Sequence, residues 1–186
     1  MMRNFKNGLI TLVALAAMSV AGVAATNHTE STDSPRIVKQ VRHELLTLPY
    51  YGVFDNLEFK VEGNTVTLYG QVVQPSTRID AERRVESIAG VQDVVNNIKV
   101  LPLSSFDDSI RAQAYRAVFS SAGLYRYGMG ANPSIHIVVD GGRLTLEGVV
   151  ANAMDKRLAY IAARGVSGAF SVTNNLRIEN DESQPR

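Results

Sequence analysis

The chain has 186 residues, no Cys, and 19 Lys and Arg against 18 Asp and Glu. Without Cys there is no disulfide, thiol nucleophile, Cys-based zinc site or acylated N-terminal Cys. A near-neutral balance lacks the basic footprint that neutralises several phosphates, which excludes nucleic acid as a partner and a polybasic patch as a membrane anchor.

Arg3 and Lys6 precede an uncharged apolar run, LITLVALAAMSVAGVAA, residues 9–25, that closes on small residues. This is the layout of an export signal, with Val23 and Ala25 suiting a signal peptidase site and cleavage after Ala24 the close competitor. At about 17 residues the run lies at the short edge of what spans a bilayer, so a retained anchor is the alternative. Cleavage would place residues 26–186 in the periplasm. Residues 26–34 and 180–186 are polar and read as a disordered leader and tail.

Between them the chain repeats itself. In the first copy Ser34 and Pro35 suit a helix start, and Ile37, Val41, Leu45 and Leu48 follow at helical spacing until Pro49. Leu57, Phe59 and Val61 alternate, Gly63-Asn64 supplies a two-residue turn, and Val66, Leu68, Gly70 and Val72 alternate again, which predicts a β-hairpin. A second helix, capped near Ser76 or Thr77, carries Ala81, Val85 and Ile88 on one face and ends before Gly90. The last strand is GVQDVVNNIKV, residues 90–100, in which Val94, Asn96, Ile98 and Val100 share the core side. A polar Asn96 there needs backbone partners, so it reads as a structural tie.

The second copy restates these parts at a constant interval. Gly70 returns as Gly148, Ala81 as Ala159, Gly90 as Gly168, Val94 as Val172, Asn96 and Asn97 as Asn174 and Asn175. Its hairpin runs through Ile135, Ile137 and Val139, turns at Gly141-Gly142, and continues through Leu144, Leu146, Gly148 and Val150. About five extra residues fall in LYRYGMGANPS, residues 124–134. The fold class is therefore α+β, with two tandem α-β-β-α-β domains at 35–101 and 109–179 joined by a linker at 102–108. Each is a small three-stranded mixed sheet with two helices packed on one face, its second and third strands parallel. Units of about 65 to 70 residues lie near the lower limit for a lone core, so the two domains are expected to dock on each other.

Residues that carry chemistry are scarce. His28, His43 and His136 are not spaced as metal ligands and read as solvated side chains. No G-x-S-x-G elbow is present, Asp107-Asp108 suits helix capping, and GMGAN, residues 128–132, precedes a strand where a phosphate loop would open a helix. No catalytic residue, metal or cofactor is expected. The segment from Ile110 to Gly130 is the candidate contact site: Tyr115, Arg116, Phe119, Leu124, Tyr125, Arg126, Tyr127 and Met129 interleave aromatics with Arg. That pattern suits a lipid headgroup boundary and equally suits burial against the first domain. PYYGVF, residues 49–54, has aromatics without an adjacent Arg and ranks below it.

Taken together, Thr67, Leu68 and Gly70, then Arg78 and Ala81, then Gly90, Val91, Val94, Asn96, Ile98 and Val100 resemble the BON domain. Thr145, Leu146 and Gly148, then Lys156 and Ala159, then Gly168, Val172, Asn174, Leu176 and Ile178 resemble it again, with Ala169 in place of the usual Val. An export signal ahead of two such domains, without a Cys to acylate, is similar to the periplasmic members of that family rather than its lipid-anchored ones. The resemblance implies a non-enzymatic envelope protein that contacts phospholipid and supports the envelope under osmotic stress. A protein-binding or chaperone-like module for envelope proteins is the alternative.

Overall fold

A computed structural model describes residues 34–121 and 123–179. The expected signal, the tail and all of the leader except Ser34 lie outside the described residues. The first domain runs α1 (Ser34–Leu46), β1 (Asn56–Glu62), β2 (Thr65–Val72), α2 (Pro75–Glu86), β3 (Asp93–Asn96) and β4 (Lys99–Val100). The second runs α3 (Ser105–Phe119), a 3-10 turn (Leu124–Gly128), β5 (Ile135–Asp140), β6 (Arg143–Val150), α4 (Ala153–Arg164), β7 (Ser171–Asn174) and β8 (Arg177–Ile178).

In each domain an antiparallel hairpin is joined by a helical crossover to a third, parallel position beside the hairpin's second strand, so β2 and β6 are central. The third position is one strand in two pieces, with β3 and β4 both on β2, and β7 and β8 both on β6. The break is made by the repeated Asn. Asn96 accepts from the Ile98 N–H (3.1 Å) and donates to the Arg78 carbonyl (3.1 Å) and Glu82 (3.0 Å). Asn174 likewise accepts from Leu176 N–H (3.2 Å) and donates to the Lys156 carbonyl (3.0 Å). Each Asn therefore ties strand to crossover helix and satisfies the backbone where the ladder is interrupted. The T-L-x-G glycines also find their reason. Gly70 and Gly148 sit at φ +114° and +115°, where a Cβ would lie 2.0 Å from the carbonyl oxygens of Asn56 and Ser134.

Two closed cores result. Ile37, Val41, Leu45, Val66, Leu68, Ala81 and Val85 fill the first, and Ile110, Ala114, Val118, Ile135, Ile137, Leu144, Leu146, Ala159 and Ala163 the second. Several boundaries depart from expectation. α2 starts on Pro75 behind Gln74 with no side-chain cap, and Thr77, expected as a cap, is buried inside the helix. α3 starts at Ser105, inside the segment read as linker, because the Ser104 side chain accepts from the Asp107 N–H (3.1 Å). With Ser104 as the cap, the Asp107 side chain turns to the second hairpin instead. Its carboxylate, almost fully buried, accepts from the Gly141 (2.9 Å) and Gly142 (2.8 Å) amides and pins that hairpin's turn.

The domains dock through residues 51–54 and the edge of β5. Ile137 donates its N–H to the Val53 carbonyl (2.7 Å), and Phe54 packs against the second domain's core. Lys99 of the first domain pairs with Asp140 of the second (2.6 Å). His136 has the strand parity opposite to Ile135 and Ile137, as expected, but it is not solvated. Its ring stacks on Tyr51 (centroids 5.3 Å apart) and is buried. A strand that alternates in sequence is thus buried on both sides, since the second domain's open sheet face meets the first domain.

Candidate functional site

The eight candidate residues divide into three groups. On α3, Ile110, Ala114 and Val118 face the sheet, leaving Tyr115, Arg116 and Phe119 on the flank toward the first domain. Tyr115 sits between Phe54 (centroids 6.3 Å) and Phe119 (4.9 Å), so two of the aromatics serve interdomain and intradomain packing. Val53, Phe54, Ala112, Tyr115 and Arg116 line a shallow apolar groove of about 260 Å³ across this junction.

Leu124 and Tyr127 are corrected by the structure. Leu124 is fully buried in the second core, and Tyr127 is nearly so, which removes both from any contact surface. The Tyr127 hydroxyl donates to Asp155 Oδ2 (2.7 Å) and accepts from the Ala151 N–H (2.9 Å). Arg126 Nη2 reaches the same carboxylate oxygen at 2.6 Å and the Tyr127 hydroxyl at 3.1 Å. Asn152, the α4 N-cap, donates to Asp155 Oδ2 (2.8 Å) and accepts from the Asp155 N–H (2.9 Å). The extra residues of the second copy are therefore bolted to the first turn of α4. In the first copy, Asp55 takes the corresponding part, accepting from Val73 N–H (2.7 Å) and Gly52 N–H (2.9 Å).

The most exposed of the eight are Tyr125, 62%, and Met129, 65%, on either side of the half-exposed Arg126, while Arg116 and part of Tyr115 are exposed beside the groove on α3. Leu124 and Tyr127 hold Tyr125 and Met129 from beneath, so the exposed pair projects from an anchored turn.

The junction supplies the perturbed titrations. His136 Nδ1 faces the Gly52 carbonyl (3.2 Å) and must donate to it, so neutral Nε2 accepts from the Tyr51 hydroxyl (3.3 Å). Burial lowers the His136 pKa from its ordinary 6.5, opposed by the backbone at Gly52. Burial also pushes Tyr51 up to about 12 and raises the Asp55 carboxyl, the latter opposed by the Val73 and Gly52 amides. Tyr51 and His136 are each other's partners, and Asp55 is held by the Gly52 and Val73 amides. Among the described residues there is no cluster of three or more His, Asp or Glu that could hold a metal, and no helix long and apolar enough to cross a membrane.

Two features lie outside sequence reasoning. Residues 51–54, ranked lower, form the interdomain contact; their aromatic density is the available signal. The outward face of α4 gives no separate signal, because its inward face already accounts for the helix. It carries Met154 and Ile161, both more than half exposed, with Leu158 between them.

The chain matches the family model of the BON domain twice, over residues 33–102 and 107–180. BON domains are associated with membrane and phospholipid binding and are generally non-catalytic. No curated protein matches the chain. Among solved structures it is similar to the C-terminal domain of CdsD, a structural protein of the type III secretion system of Chlamydia trachomatis. That likeness has 13% identity over 76% of this chain and 96% of that one, with a TM-score of 0.30. A second CdsD structure matches at 14% identity over 81% of this chain and 100% of that one, with a TM-score of 0.29. At these scores neither bears on fold or function. Two matches that together span nearly all of the described residues decide the matter, and the chain belongs to the BON domain family as a tandem of two copies.

Proposed function

We propose that this protein is a non-catalytic module of the periplasm that touches phospholipid surfaces reversibly and supports envelope integrity under osmotic stress. The observation that carries the reading is the exposure of Tyr125 and Met129 about Arg126 on a turn anchored from below by Leu124 and Tyr127. An aromatic ring with a polar tip, a thioether and a guanidinium fit the boundary between acyl carbon and headgroup phosphate. One such turn, without a lipid anchor, binds weakly, which suits a protein that samples a membrane. Export by cleavage after Ala24 or Ala25 belongs to the same reading.

Holding an unfolded client by strand addition fits less well. The edges formed by β3 with β4 and by β7 with β8 are each interrupted after four residues, which blunts them as templates, and the remaining edge of the first sheet, β1, carries Lys60, Glu58 and Glu62 among its residues. Both cores lie within residues 34–179, so the 26–186 chain keeps them and serves for the test. It should float with vesicles containing phosphatidylglycerol at low salt. A wild-type chain that stays at the bottom of the gradient ends the reading.

A further inference from the structure

We propose that α4 forms the larger part of the lipid-facing surface and makes it selective for anionic phospholipid. The proposal rests on the lipid-contact reading and adds to it a helix, an orientation and a lipid class.

α4 buries Asp155, Ala159 and Ala163 against its sheet. Met154 and Ile161 lie seven residues apart on the side turned away from the sheet, and Leu158 between them packs partly against the second core. Met154 is 63% and Ile161 60% exposed, and Leu158 is half-buried between them. Beside them run Arg157, Tyr160 and Arg164, with the Arg164 guanidinium 5.8 Å from the Tyr160 ring centroid. The only acid on the helix is Asp155, which is buried and already held by Arg126, Tyr127 and Asn152. The outward side of α4 therefore sets exposed Met154 and Ile161 beside charges of one sign, from the exposed Arg157 and Arg164.

The first copy acts as an internal control. α2 packs on an equivalent sheet with equivalent residues, Ala81 and Val85 against Ala159 and Ala163. Where α4 has Met154, Leu158 and Ile161, α2 has Ser76, Asp80 and Arg83, and its surface mixes Arg78, Arg83 and Arg84 with Asp80, Glu82 and Glu86. The same fold thus tolerates an outward face that is mixed in charge with one exposed apolar residue, Ile79, so the paired apolar residues and unmixed cations of α4 answer to something outside the domain.

Charge complementarity names the occupant. Cations without accompanying anions, alongside Met, Leu and Ile, match a surface with phosphate at one depth and acyl carbon just below it. The Arg126 and Tyr127 bonds to Asp155 hold the anchored turn, with its exposed Tyr125 and Met129, at the N-terminal end of α4. Lying in the interface plane, α4 would set its side chains into the headgroup region while the sheet stays in water.

The test is partitioning of the 26–186 chain onto phosphatidylcholine vesicles with and without phosphatidylglycerol, comparing wild type with paired substitutions at exposed positions. Arg157→Gln with Arg164→Gln should weaken binding to anionic vesicles about 25-fold at low salt, as each near-surface cation counts for about five-fold, and should abolish the lipid preference. Met154→Gln with Ile161→Gln should weaken binding at least about ten-fold on both compositions. Ile79→Gln on α2 should change nothing, and all variants should melt with the wild type. Unchanged binding of both α4 pairs, with loss on Tyr125→Ala plus Met129→Ala, overturns the role of α4 and leaves the parent reading standing. Equal wild-type binding to both compositions overturns the lipid class. No wild-type binding to either overturns the parent reading itself.

Discussion

Tyr127→Phe removes one oxygen and tests whether the extra residues of the second copy are structural. That oxygen donates to Asp155 (2.7 Å) and accepts from Ala151 N–H (2.9 Å) and Arg126 (3.1 Å). The phenylalanine ring fills the same space, so the loss is confined to hydrogen bonds. Asp155 is buried and keeps Arg126 and Asn152, whereas the Ala151 N–H loses its acceptor. Ala151 is exposed and its N–H can turn to water, but losing the buried hydrogen bond to the Asp155 carboxylate costs about 1.5–3 kcal/mol. For a unit the size of the second domain, each kcal/mol is worth about 4–8 °C. Thermal unfolding followed by circular dichroism should therefore show a loss of at least about 4 °C, while Tyr125→Phe, at an exposed ring, should stay within about 0.5 kcal/mol of wild type. Equal melting of Tyr127→Phe and wild type would show that the turn is not bolted to α4, and the anchored presentation of Tyr125 and Met129 would fall with it.

Three further outcomes follow from the same geometry. Gly148→Ala places a methyl 2.0 Å from the Ser134 carbonyl at φ +115°, and urea unfolding should register a loss of at least about 3 kcal/mol, well beyond the roughly 1 kcal/mol expected for Gly141→Ala at φ +58°, where the nearest atom is 3.9 Å away. Asn174→Ala strips the Leu176 N–H of its partner and cuts the tie to the Lys156 carbonyl, and should cost about 1–2 kcal/mol with faster amide exchange at Leu176. Protonation should loosen the interdomain junction. His136 has a lowered folded pKa, so its contribution is intact above 6.5 and is lost as pH falls below that value. Asp55 has a raised folded pKa and opposes this by binding its proton more readily when folded, at lower pH and with partial compensation. Glu147, opposite His136 on β6, is itself raised by burial and works in the same sense as Asp55. The fall in melting temperature between pH 7.5 and 5.5 should be shallower in His136→Gln, and an identical pH profile would contradict the assignment.

The repeat made most of the fold legible. The Gly63-Asn64 and Gly141-Gly142 turns, the alternating hairpins and the core faces of α1 to α4 lie where their spacing put them, although Leu48 and Ile88 enter the core from just past the ends of α1 and α2. The Asn tie was legible too, because a polar residue on a core parity has few alternatives. Helix starts were less legible, since Asp107-Asp108 suited a cap as well as Ser104 does, and the tertiary demand of the Gly141 and Gly142 amides for Asp107 leaves the cap to Ser104. His136 shows the remaining gap. Its parity placed it on the open face of the sheet, but parity within one domain carries no information about a second domain lying on that face. Tyr127 was misplaced for a related reason: its partner, Asp155, is too distant in the chain for any periodicity to pair them.

The most direct test of the division of labour between the copies uses the absence of Cys from the chain. Single Cys substitutions at Tyr125, Ile161 and, in the first copy, Ile79 would each carry an environment-sensitive fluorophore on the 26–186 chain. Addition of phosphatidylglycerol vesicles should shift emission to the blue at positions 125 and 161 and leave position 79 unchanged. A shift at 79 alone, or at none of the three, would contradict the account.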